Sequence, residues 1–314
     1  MEKNRVLIIG GNGFIGMNLA GYLTEKQMEV YCFDMAYPKI PDPRIHYIQG
    51  DFFDDNILRQ VTDGMDVVYH AISTINPGNS NEKYMMGYSR DFIQTVKLCA
   101  MLQNTHAKLI FLSSGGTVYG CQKHQPICED AVAAPINHYG NVKLSIENVM
   151  RIFDIQAEAK MLIARISNPY GPGQDFTKGV GFVDAVIKKS IRSDVIEIWG
   201  NGEIVRDYIY IRDVCKMLYE LALYDGPEII FNVSSGTGCS QNAVIQTVHN
   251  ITGLDIRFVY KKARSVDVSG IVLDNSKIRS ICDMQLLTME EGIREYLQFL
   301  GYVRDAGHVR KREE

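Results

Sequence analysis

The 314 residues lack a metal-binding pattern: the seven histidines are isolated, no His pair falls at helical separation with an acid in place, and seven cysteines are scattered without CxxC spacing. Zinc and similar ions need clustered ligands, so no metal is expected. An odd number of dispersed cysteines also argues against a disulfide framework and for reduced thiols. There is no apolar run of about eighteen residues, the length a membrane-spanning helix needs. Positive charge is not in excess either: 33 Lys+Arg against 37 Asp+Glu leave a net charge of −4, which draws in neither nucleic acid nor an anionic membrane. Internal repeats and low-complexity segments are absent. No apolar leader stands before the first strand pattern, and a cytoplasmic protein is expected.

What is present begins almost at once. Val6-Leu7-Ile8-Ile9 is a short apolar run that closes on Gly10, Gly13 and Gly16, spaced GxxGxxG, and leads into an apolar helix pattern from Met17 to Leu23. This reads as strand, tight turn, helix. Gly10 and Gly13 let backbone amides approach a pyrophosphate at the helix N-terminus, where Phe14 and Ile15 lie, and Gly16 lets the helix press against the strand. Glycine spacing alone is a weak signal, because many α/β turns are glycine-rich. The weight comes from Asp34, at the end of a second apolar run, Val30-Tyr31-Cys32-Phe33. A carboxylate there accepts from both adenosine ribose hydroxyls and repels a 2′-phosphate, so NAD is expected over NADP.

With 46% hydrophobic residues the chain can bury a sizeable core. Strand patterns near 5–9, 29–33, 45–49, 66–70, 108–113 and 161–166 alternate with helix patterns near 14–25, 54–61, 82–104 and 137–156. Near-continuous apolar strands between helices predict an α/β fold with a doubly wound parallel sheet of Rossmann type over residues 1–168. The chain is expected to return to that sheet near 213–234. Segments 169–212 and 235–300 form a smaller α/β substrate-binding lobe, with helices near 179–191, 213–224, 240–251 and 289–299 across this half, and 301–314 reads as a frayed, charged tail.

Ligands of such sheets lie beyond the carboxyl ends of the strands. After the third strand Asp51 is placed to bond the adenine amino group and Phe52 to flank the ring; after the fourth, Ala71 lets backbone pass close to the cofactor. After the fifth comes Ser113-Ser114-Gly115-Gly116-Thr117-Val118-Tyr119-Gly120, followed by Tyr139 and Lys143 on a helix. At i, i+4 these two side chains share one face. A phenol keeps its proton to about pH 10, and a nearby ammonium favours the phenolate, as would the charge of oxidised nicotinamide. Tyr139 is thereby a candidate general base and Lys143 a ligand of the nicotinamide ribose.

Together these motifs resemble the extended short-chain dehydrogenase/reductase family, in its NAD-dependent nucleotide-sugar epimerase/dehydratase branch. The similarity runs over about residues 4–300. Besides the motifs above it includes Arg165-xx-Asn168-Pro169-Tyr170-Gly171-Pro172-Gly173, Trp199-Gly200-Asn201-Gly202, Arg206-Asp207-Tyr208-Ile209, Asn232 and Asp274-Asn275-Ser276-Lys277. The resemblance implies that the tyrosine removes a sugar hydroxyl proton while nicotinamide takes the hydride, that Tyr170 joins the cofactor site, and that Asn168, Arg206 and Arg264 hold a nucleotide-diphosphate sugar. Guanidinium forks suit diphosphate oxygens at any working pH. Asn232 and Trp199 read equally well as turn and core residues. The resemblance also implies a homodimer formed through the helices near 82–104 and 137–156, although the face with Phe92, Val96, Leu98 and Met101 reads equally as core.

The chain departs from the resemblance at Gly115, three residues before Val118, where a catalytic Ser or Thr is usual. Ser114 and Thr117 are the candidate replacements, with Ser73, Thr74 or a water as further ones. Gly115-Gly116-Thr117 also lacks the Asp and Glu carboxyls that a sugar 4,6-dehydratase presents there. The expected activity is a nucleotide-sugar 4-epimerase; a 4-ketosugar reductase or a non-catalytic sensor of NAD and nucleotide sugar are the alternatives.

Overall fold

The computed structural model describes residues 4–157, 159–178, 180–262, 270–305 and 308–311. The first half alternates strand and helix: β1 (Arg5–Ile9), β2 (Glu29–Asp34), β3 (His46–Gln49), β4 (Val67–His70), β5 (Lys108–Ser114) and β6 (Met161–Ile166). Beyond these lie β7 (Asn168–Tyr170), β8 (Ile196–Trp199), β9 (Val205–Tyr210), β10 (Ile230–Val233), β11 (Gly238–Ser240), β12 (Phe258–Lys261) and β13 (Gly270–Ile271). Seven strands form one sheet in the order β10-β6-β5-β4-β1-β2-β3, every pair parallel. This is the doubly wound α/β sheet expected from the apolar strand runs.

β1 shows why those runs are continuous. Val6 and Ile8 enter one core with Leu19, Leu23, Val214 and Leu218, while Leu7 and Ile9 enter the other with Leu58, Leu98, Val142 and Ile146. Each face of the pleat is covered by helices, so alternate residues are buried on opposite sides and no polar position is left. Helix Ile211–Leu223 packs on helix Phe14–Glu25, and β10 then closes the sheet beside β6.

The lobe holds a smaller sheet, β11-β9-β13 with β7 also on β9, and the pair β8–β12. Its helices are Phe182–Arg192, Gln241–Thr252 and Met289–Phe299. The last is started by a capping box in which Thr288 and Glu291 satisfy each other's backbone amides, the arrangement that fixes a helix N-terminus.

Within the segment read as a charged tail, β14 (Tyr302–Asp305) and β15 (His308–Lys311) pair antiparallel. One expectation changes. The helix expected over 82–104 starts at Tyr84 and passes through a π-helical stretch, Gly87–Phe92, before α-helix resumes at Ile93–Leu102. At Gly87 a Cβ would stand 2.4 Å from Ile75 Cδ1, so the helix is pressed hard against the loop after β4.

Candidate active site

The glycine turn is dictated by sterics at two positions. Gly10 has φ +87°, the left-handed region open to glycine, and a Cβ on Gly16 would stand 2.2 Å from the Gly10 carbonyl oxygen. Gly13 is different: its Cβ would meet only the Gly10 oxygen, at 3.3 Å. Packing within the protein makes little demand there. Gly13 is also the N-cap of helix Phe14–Glu25 and supplies no side-chain cap, so the first helical amides, including those of Phe14 and Ile15, point into an uncapped N-terminus. Asp34 closes β2 and accepts the Asn12 amide at 3.1 Å, which joins the carboxylate to the turn. The backbone of Ala71, after β4, lies 3.2 Å from a Cβ built on Gly10. These groups fit a dinucleotide: donors for a pyrophosphate, an acid beyond β2, and a turn without side chains.

The other expected cofactor contacts differ in their surroundings. Asp51 accepts the Phe53 amide at 3.0 Å and stays partly exposed. Phe52 is 1% exposed and packs against Phe53 and His70, so its ring is core and cannot flank a ligand. Its neighbour Phe53 is the partly exposed ring, with the Arg90 guanidinium 3.9 Å from its centre. Tyr170 is buried against Tyr210, and its hydroxyl reaches the Met289 carbonyl at 3.4 Å; β7 has turned it into the lobe.

Tyr139 and Lys143 project from helix His138–Gln156, which Asn137 caps through the Gly140 amide. The Lys143 ammonium lies 5.6 Å from the centre of the Tyr139 ring and 4.5 Å from that of Phe111, and donates to the Leu112 carbonyl at 2.9 Å. Burial weakens it, lowering its pKa to about 8. Burial, and then the Asp91 carboxylate, push the Tyr139 phenol up to about 12. The ammonium's expected pull toward phenolate is not among the causes that set this value. What works in the other direction is the nearby Ser114 side chain.

The two hydroxyl candidates differ in their surroundings. The Ser114 side chain acts on the Tyr139 phenol, whereas Thr117, in the short helix Gly115–Val118, turns back to the Ser114 carbonyl at 3.5 Å. The glycine at 115 also has a cause: a Cβ there would stand 2.3 Å from Leu273 Cδ1 and 3.1 Å from the Arg165 carbonyl oxygen. Leu273, fully buried, occupies the place of the missing side chain.

On the lobe side, Asn168 donates to the Asp207 carbonyl at 3.1 Å and lies beside Gly116. β7 pairs Asn168 with Tyr208, two residues along β9 from Arg206. Arg206 is partly exposed. Arg264 lies outside the described residues. Trp199 is 36% exposed, and Asn232 is fully buried, bonded to the Tyr119 hydroxyl at 2.7 Å and to the carbonyls of Ile127 and Asp274. A cavity of about 540 Å³ opens in the lobe between Tyr208, Thr237, Cys239 and segment 283–289; the Tyr139–Lys143 pair does not line it.

Several further residues around the site are brought together only by the fold. Glu147, one turn beyond Lys143, binds Arg165 through two nitrogens, and Arg165 reaches the Tyr119 hydroxyl at 2.9 Å. Asp207, fully buried, accepts the amides of Ser235, Gly236 and Leu273, and burial raises its pKa. Asp91 accepts the Ser73 hydroxyl and the Thr74 amide. Among the described residues no group of His, Cys, Asp and Glu is placed to hold a metal, and no helix is long and apolar enough to cross a membrane.

A parallel sheet with a glycine turn at the N-terminus of its first helix and an acid beyond its second strand defines a Rossmann nucleotide-binding protein. The sequence model of the NAD dependent epimerase/dehydratase family matches residues 6–234, and the chain belongs to that family, whose cofactor is NAD. It is 26% identical over 300 residues to a putative UDP-glucose 4-epimerase of Methanocaldococcus jannaschii, covering 94% of this chain and 98% of the relative. It is 29% identical to dTDP-4-dehydro-6-deoxyglucose reductase of Escherichia coli over 288 residues, 87% of this chain and 90% of that one. The crystal structure of UDP-glucose 4-epimerase from Thermotoga maritima with UDP-glucose is similar at a TM-score of 0.88 and 27% identity, covering 94% and 98% of the two chains. The chain is thus an enzyme of the NAD-dependent nucleotide-sugar epimerase type.

Proposed function

We propose that the protein is a nucleotide-sugar 4-epimerase, with Tyr139 as acid/base, Ser114 in place of the usual hydroxyl, and Lys143 binding the nicotinamide ribose. The observation that carries this reading is the surroundings of the Tyr139 ring, with the Lys143 ammonium 5.6 Å from its centre and the Ser114 side chain near enough to act on its phenol. Held by the glycine turn, Asp34 and Lys143, NAD would supply the redox chemistry, a reversible hydride exchange with sugar C4. Tyr139 takes the C4 hydroxyl proton as the hydride leaves and gives it back to the ketone oxygen, so atoms and electrons balance over one turnover. Ser114 orients that oxygen, and Asn168 and Arg206 grip the diphosphate, which leaves the sugar free to turn over between the two hydride transfers.

The substrate is a nucleoside-diphosphate hexose, N-acetylhexosamine or uronate. A homodimer through helices Ile93–Leu102 and His138–Gln156 is part of the reading. Phe92, Leu98 and Met101 pack in the core, but Ile93, Ile152 and Ile155 are exposed at 47%, 55% and 84%, an apolar face that a second copy would cover. Seven free cysteines suit a reducing compartment such as the cytoplasm.

Incubation of the purified protein with UDP-glucose, UDP-galactose and their N-acetyl and uronate forms, without added NAD, tests the proposal. Exchange at C4 is expected with at least one of them. No exchange with any, combined with consumption of added NADH on a 4-ketosugar nucleotide, would replace it with the ketoreductase reading, which the similarity to the Escherichia coli reductase favours.

A further inference from the structure

The π-helical stretch Gly87–Phe92 is a departure from regular helix of a kind that recurs at functional sites. Asp91 stands within it, 2% exposed. Its Oδ2 accepts the Ser73 hydroxyl at 2.9 Å and the Thr74 amide at 2.8 Å, which ties down the loop after β4. Its Oδ1 is buried and has no hydrogen-bond partner. Leaving a carboxylate oxygen in that condition is costly, so the charge calls for a compensating cation.

Few charged or titratable groups face it. From helix His138–Gln156 come Tyr139 and Lys143, on both of which the Asp91 charge acts, and behind them Glu147, which acts on Lys143. From the end of β4, His70 reaches Asp91 through Thr95, whose hydroxyl donates to the Asp91 carbonyl at 2.6 Å. Arg90, its neighbour in the chain, is turned onto the Phe53 ring. Lys143 is the cation among these groups on which the carboxylate acts, across a gap wider than an ion pair because its ammonium donates to the Leu112 carbonyl, and Tyr139 shares that field.

We propose that Asp91 is a positioning residue for the Tyr139–Lys143 pair: it pins the Ser73–Thr74 loop and, through its buried charge, sets the pH range in which phenol and ammonium work. This rests on the epimerase reading of that pair. A negative charge beside both groups holds a proton on each. Lys143 stays an ammonium despite burial, and Tyr139 stays a phenol until an additional positive charge, that of the oxidised cofactor, enters the site.

The sign of the test follows. Asp91→Asn keeps the shape and an acceptor for Ser73 and Thr74 but removes the charge, so both groups should lose their protons at lower pH. In the holoenzyme, both limbs of the kcat–pH profile should move to lower pH by on the order of 1 unit, with bound NAD content and Tm close to wild type. Limbs that superimpose on those of wild type, or a loss of kcat equal at every pH, would overturn the proposal. Alkaline difference absorbance between each protein and its Tyr139→Phe counterpart reads the phenol without turnover. Tyr139 should ionise at lower pH in the Asp91→Asn background, and unchanged ionisation would overturn the proposal even if no sugar nucleotide is epimerised. Should Asp91→Asn not fold, Asp91→Glu keeps the charge and is expected to retain the wild-type limbs; displaced limbs there count against the proposal.

Discussion

Arg165 and Glu147 are joined by Nε and Nη2 on one carboxylate, at 3.1 and 2.7 Å to Oε2, with side chains only 5% and 1% exposed. β6 supplies the arginine and the helix of Tyr139 and Lys143 supplies the glutamate, so the pair fixes that helix against the sheet. The Ser113 hydroxyl adds a third contact to Glu147. Arg165→Met leaves a buried carboxylate without its main partner. The cost should be about 3–5 kcal/mol, seen as a fall in Tm on the order of 5–10 °C, whereas replacing both partners by apolar residues should cost less than the sum of the two single changes. Thermal denaturation of the three variants measures this.

Asp34 is where discrimination between dinucleotides should be strongest. Asp34→Asn keeps an acceptor for the Asn12 amide but loses the charge that repels a 2′-phosphate. Loss of charged hydrogen bonds to a ribose costs about 1.5–3 kcal/mol, so NAD should bind roughly ten- to a hundredfold more weakly and NADP more tightly. Titration calorimetry of the two cofactors decides it; an unchanged ratio of affinities would remove Asp34 from the cofactor site.

The apolar strands and the glycine turn were legible because local pattern and tertiary role coincide there: burial on both sheet faces leaves an uninterrupted apolar run, and the spacing of Gly10 and Gly16 is set by one strand–helix contact. Phe52 and Phe53 could not be told apart, since which ring faces the core depends on how the loop after β3 meets His70 and Gln94. The surroundings of Tyr170 were hidden for the same reason, as β7 pairs with β9 and buries the ring against Tyr210. Asp91 and Glu147 had no signature at all, and Asp207, although it stands in the motif Arg206-Asp207-Tyr208-Ile209, gave no sign of its partners. Each acts on partners from 17 to 66 positions away, such as Thr74 for Asp91 and Leu273 for Asp207, and only the fold brings these together.

His70 gives the stability a pH dependence of known sign. The Thr95 hydroxyl donates to the Asp91 carbonyl, so His70 Nε2 must donate to Thr95 Oγ1, at 2.8 Å, and the bare Nδ1 is buried without a partner. Burial, with Lys143 nearby, lowers the histidine's pKa to about 3 from 6.5. Between those values the unfolded chain binds the extra proton, so this contribution to stability is full above 6.5 and is lost as pH falls toward 3. His70→Gln, which can still donate to Thr95, should lose less stability on acidification, by on the order of 1–3 kcal/mol. Melting curves at a series of pH values check this, and parallel slopes for the two proteins would refute it.

The filling of the Gly115 position by Leu273 yields a paired test of which hydroxyl serves Tyr139. Ser114→Ala should lower kcat on the order of tenfold to a hundredfold with KM little changed, because it removes a partner of the reacting phenol, whereas Thr117→Ala should change kcat by no more than a few-fold. Gly115→Ser should not rescue Ser114→Ala. Its Cβ would stand 2.3 Å from Leu273 Cδ1, an overpacking that costs about 1–3 kcal/mol. Adding Leu273→Ala makes room for the new side chain, so the double change should be less destabilising than the sum of its parts, and only with that room should activity return to Ser114→Ala. Rescue by Gly115→Ser alone would show that Leu273 does not exclude a hydroxyl from that position.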